Sequence, residues 1–74
     1  MRVIDQERIG DRRVRLVVQP NGMHAVTLEV LGPNAAWEDI SLPSDQRLLL
    51  REARTRYAGM VCAQRARVGS RSPE

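Results

Sequence analysis

The chain has 74 residues, with twelve arginines, no lysine, nine acids and one histidine, for a net charge of +3. Its apolar fraction of 42% is too high for a disordered chain, no apolar run approaches a membrane span, and the length suits one small domain. The single cysteine excludes an internal disulfide and a cysteine-based zinc site. No charged segment leads into an apolar stretch at the start, so a cytoplasmic location is expected.

Arg2 to Ile9 reads as a weak strand, because Asp5 and Glu7 share a face with Val3 and Ile9. An edge position suits it, since charges there discourage unwanted pairing. Gly10-Asp11 joins it to the strongest local pattern in the chain. Val14, Leu16 and Val18 alternate with Arg13, Arg15 and Val17, and Val26, Leu28 and Val30 alternate with Ala25, Thr27 and Glu29. Pro20-Asn21-Gly22 lies between the two runs, and Asn and Gly tolerate the positive φ of a tight turn. The pattern predicts a β-hairpin from Arg12 to Leu31. If it closes over a three-residue loop, Val17 faces Ala25, Arg15 faces Thr27 and Arg13 faces Glu29.

Gly32-Pro33-Asn34 ends the hairpin. Ala35 to Leu42 holds Trp37, Ile40 and Leu42 and reads as a short fourth strand or an ordered loop; Trp37 suits a core plug better than a stacking platform. A helix is predicted from Asp45 to Ala66, with Ser44 as N-cap and Asp45 at the positive end of the dipole. Gly59 weakens it by about 1 kcal/mol relative to alanine. Residues 67–74 read as a flexible tail behind a single domain of residues 1–66. The switch from period two to helical period predicts an α+β fold: an antiparallel meander of three or four strands with one C-terminal helix on one face.

At about 100° per residue the helix divides into three arcs. Leu49, Leu50, Ala53, Tyr57, Met60 and Val61 are expected to pack on the sheet, against Val14, Leu16, Val18, Val26, Leu28 and Val30. Arg47, Arg51, Arg54 and Arg65 form a basic flank. Leu48, Thr55, Gly59, Cys62, Ala63 and Ala66 form a third, mostly small-residue arc. The basic flank is either a solvated face, with apolar stems under charged heads, or a docking stripe for carboxylates or phosphates. The small-residue arc is either ordinary exposed alanine or a close-approach surface, with homodimerisation through Leu48, Thr55, Gly59, Cys62 and Ala63 as one use. A further candidate is the sheet's outer face, an aliphatic patch around Val17, with Met23 and Ile4 beside it and Arg8, Arg13 and Arg15 at the rim.

Charge is unevenly divided. Residues 1–46 carry five arginines against seven acids, −2, and residues 47–74 carry seven against two, +5. Partners meet this local field rather than the net value.

No catalytic constellation, cofactor loop or metal set is legible. His24 and Cys62 would make a nucleophile pair only if the helix folded back over the start of a strand. Asp5 with Glu7, and Glu38 with Asp39, have no further ligand to join them. The expectation is therefore no enzyme, no cofactor and no metal. In size, composition and lack of catalytic parts, though in no motif, the chain resembles short stand-alone phage-encoded proteins that inhibit or redirect a host machine, such as anti-CRISPR proteins and RNA polymerase modulators. The resemblance implies a non-catalytic protein that docks on a larger protein or nucleoprotein complex. Partner contact is expected at Arg47, Arg51, Arg54, Arg65, Arg13, Arg15 and Val17. Direct, sequence-independent nucleic-acid binding is the alternative, in keeping with a pI near 10.4. A structural homo-oligomer subunit is a weaker one.

Overall fold

A computed structural model of the chain describes residues 1–41 and 47–69. Four antiparallel strands lie in chain order: β1 (Arg2–Ile9), β2 (Arg12–Val18), β3 (His24–Leu31) and β4 (Trp37–Asp39). One helix, α1 (Leu50–Gly69), packs on a single face against β1, β2 and β3. The fold is the α+β meander with a C-terminal helix that the change of period predicts.

The hairpin forms where alternation and turn chemistry place it. Gly22 takes a φ of +85°, Gly22 N donates to Gln19 O at 2.9 Å, and the Asn21 side chain accepts from Met23 N at 2.9 Å. The resulting register sets Val17 against Ala25, Arg15 against Thr27 and Arg13 against Glu29. β1 is an edge strand with a bulge: Val3 pairs with Val17 but Asp5 pairs with Leu16, so Ile4 is the extra residue. The bulge sends Ile4 into the core side, where it packs on the buried cluster, instead of beside Val17. Of residues 35–41 only the three of β4 form a strand, followed by Ile40 N donating to Leu28 O at 2.7 Å, and Leu42 lies outside the described residues.

The helix boundaries differ from the predicted ones. Ser44 and Asp45 lie outside the described residues. α1 begins at Leu50 because Leu48 is still in extended pairing with His24, with N···O distances of 2.8 and 3.0 Å. Leu49 then serves as N-cap: its carbonyl accepts from Ala53 N, and its own N–H donates to Glu52 Oε1 at 3.0 Å. That is one half of a capping box. At the other end the helix runs through Gly69, past the expected fray at residue 67. Arg67 pairs with Asp11 at 3.3 Å, and Arg12 and Arg67 both donate to Gln64 Oε1 at 3.4 Å. Gln64 is buried in the middle of the helix's inner face, so these bonds tie the last turns to the β1–β2 corner.

The core consists of Ile9, Val14, Leu16 and Val26 from the sheet and Ala53 and Val61 from α1. Ile4, Leu28, Leu48, Tyr57 and Met60 pack around it, half-buried. Leu49 and Leu50, expected in the core, are instead 61% and 41% exposed. The Leu48–His24 bridge starts the helix at the edge of the sheet. The small Ala53 then makes the close approach that the two leucines were expected to make.

Candidate functional site

The basic flank divides in two. Arg65 reaches across to β1 and forms an ion pair with Glu7, which faces the helix side of the sheet. Arg51 and Arg54 lie on α1, whereas Arg47 precedes it and so is not on the helical flank the sequence predicted. All three are exposed, and their side chains make no ion pair or hydrogen bond among the described residues. Three of the four predicted residues therefore present charge that the fold does not use, and the fourth is engaged within it.

The outer face of the sheet is organised differently from the expected aliphatic patch. Val17 and Ala25 are buried, not exposed, so Val17 offers no contact surface. Arg13 Nε meets Glu29 Oε1 at 2.7 Å and Arg15 Nη1 meets Glu29 Oε2 at 3.3 Å. Glu29 is buried, and both predicted contact arginines are committed to it. Trp37 is not a core plug. From β4 it lies across this outer face, with the Arg13 guanidinium 4.5 Å and the Arg8 guanidinium 5.5 Å from the ring centre. Cations stack well on an indole face, and the ring is half-buried beneath these two side chains. The opposition of Arg13 and Glu29 was legible in the hairpin register. The reach of Trp37 over two strands was not.

On α1, Thr55, Gly59, Cys62 and Ala63 are exposed, as the third arc requires. Leu48 departs from that arc: it is half-buried, packs on the core and pairs with β3, so it is not the free dimer anchor expected. A groove of about 400 Å³ lies at this end of the helix, lined by Leu48, Arg51, Glu52, Thr55 and Arg56. The sequence reading missed it, because Leu48 belongs to a helical arc only if the helix starts earlier than it does.

Glu7 is taken by Arg65, and Asp5 lies near Tyr57. Burial, and then the negative charge of Asp5, raise the Tyr57 hydroxyl above its ordinary pKa. His24 is half-buried at the β3–Leu48 bridge, and Cys62 is exposed on the outward side of α1. Among the described residues no three His, Cys, Asp or Glu side chains gather as metal ligands. No described helix is long and apolar enough to cross a membrane. Comparison with protein-family models, curated proteins and solved structures gives no match.

Proposed function

We propose that this chain is a non-catalytic cytoplasmic binding protein that docks on a larger acidic protein or nucleoprotein complex and modulates it. The observation that carries the reading is the set of Arg47, Arg51 and Arg54, exposed and unpaired among the described residues, while Arg13, Arg15, Arg65 and Arg67 are spent on acids of the chain itself. Unused like charges on one flank cost self-repulsion and return nothing to the fold, but they steer an acidic partner and raise its on-rate. Guanidinium forks also hold carboxylates in a defined geometry. Inhibition or redirection of the bound complex is the proposed mode of action, as in the phage-encoded proteins of similar size and composition.

The test is the double variant Arg51→Glu with Arg54→Glu, titrated calorimetrically against the co-purified partner. It should weaken binding more than tenfold and leave the circular dichroism spectrum unchanged. Binding equal to the parent's would reduce the flank to solvated charge. The same three arginines suit phosphates, so direct nucleic-acid binding is the second reading. It requires a duplex or single-strand mobility shift that collapses steeply with salt and is lost in the same double variant.

A further inference from the structure

The groove at the start of α1 has a floor, a rim and a direction. Leu48 forms the floor, fixed from behind by its two backbone bonds to His24 and by the core it packs on. Arg51, Glu52, Thr55 and Arg56 form the walls. Glu52 is the one acid of the lining, and its carboxylate accepts the Leu49 N–H at the cap. The Thr55 hydroxyl donates to the Arg51 carbonyl at 3.2 Å, which spends its one donor within the helix. Among the described residues the Arg51 guanidinium has no partner, and Arg54, three residues on along α1, adds to the positive field. Further along α1 the exposed side chains become small, and a side chain added at Gly59 would meet nothing within 4 Å. The surface is thus a groove in which the apolar Leu48 side chain lies beside the guanidinium groups of Arg51 and Arg56.

Charge decides the occupant. A second copy docking through the same helix would bring its own arginine-rich half, +5 over residues 47–74, against the same charge, and its other half carries only −2. A segment carrying carboxylates meets the reverse situation, since the described lining holds two arginines against one acid, Glu52. We infer that the groove docks an acidic protein segment, one apolar side chain set over Leu48 and a carboxylate paired with Arg51. The inference rests on the proposal that the basic flank meets a protein. It adds that recognition is by shape as well as charge.

The experiment pans a display library of random dodecapeptides against the full chain. Enriched peptides should pair acids with a Leu, Ile, Met or Phe. In a synthetic copy of the best binder, serine in place of that apolar residue should cost at least tenfold in affinity. Amide shifts on titration should centre on Leu48, Arg51, Glu52, Thr55 and Arg56. Thr55→Trp, at an exposed position that tolerates the change, should fill the slot and lose binding at least tenfold with an unchanged circular dichroism spectrum. No enrichment, shifts centred elsewhere, or equal binding by the serine peptide and by Thr55→Trp would overturn the docking site. Those outcomes leave the flank proposal standing, because that one fails on a different result: no effect of the Arg51 and Arg54 reversals on the co-purified partner.

Discussion

Glu29→Gln removes one charge from the sheet's outer face while keeping the shape of the side chain. In the folded chain the Glu29 side chain is 11% exposed and holds Arg13 and Arg15, themselves 24% and 17% exposed. Losing one member of a fully buried pair costs about 3–5 kcal/mol, because the partner's charge stays desolvated, whereas an exposed pair contributes about 0–1 kcal/mol. The site falls between these limits. The amide oxygen keeps one acceptor, and Trp37 still stacks on Arg13, so the expected loss is about 1–3 kcal/mol. A chain of 74 residues at the usual stability per residue has about 4–11 kcal/mol in all, so this is a large share. In urea, with a slope of about 1 kcal/mol per molar, the midpoint should fall by about 1–3 M at constant slope. A double-mutant cycle with Arg13→Gln should give a coupling above about 1 kcal/mol. A midpoint within about 0.3 M of the parent's, with no coupling, would show that the carboxylate is effectively in water and that the outer face is not tied together as described.

The other expectations concern the core, the helix and pH. Leu16→Ala, at a fully buried position, should cost about 2–5 kcal/mol in urea unfolding, and Leu50→Ala, 41% exposed, less than about 1 kcal/mol; the reverse order would place the core on the wrong helix residues. Gly59→Ala should stabilise by about 0.5–1 kcal/mol, since helix propensity improves and the new methyl meets open space; a drop in thermal midpoint would reveal a contact there. Tyr57, the only tyrosine, should ionise above the ordinary tyrosine pKa of 10.0 when followed by ultraviolet absorbance. The unfolded chain loses that proton first, so the contribution is intact below pH 10 and declines as pH rises through the tyrosine range. Asp5→Asn should bring the titration part of the way back, and an unchanged midpoint would contradict the assigned charge effect.

The hairpin was legible because its causes are local. Alternation names the inner residues, Asn21-Gly22 supplies the turn, and a three-residue loop leaves one register, so the opposition of Arg13 to Glu29 followed without knowledge of the rest of the chain. The edge character of β1 followed from its misplaced charges, although the bulge at Ile4 did not, since a bulge depends on the neighbouring strand. The spacing of Arg51 and Arg54 was likewise legible as one flank of a helix, whereas Arg47 falls before the helix begins.

Periodicity sorts residues around a helix axis but says nothing about where that axis lies over a sheet. The Leu48–His24 pairing moved the helix start, exposed Leu49 and Leu50 and formed the groove; Ala53 and Gln64 took the central inner positions. Strand order brought Trp37 over Arg8 and Arg13, and helix placement brought Arg65 to Glu7. The hairpin strands, a C-terminal helix and the surplus of arginine were all readable from local pattern, whereas that pattern did not decide between strand and loop for the fourth strand. Which arginines pair with acids of the chain and which stay exposed is set by the packing of helix on sheet, because an ion pair depends on distances between residues far apart in the chain, and local pattern does not specify those distances.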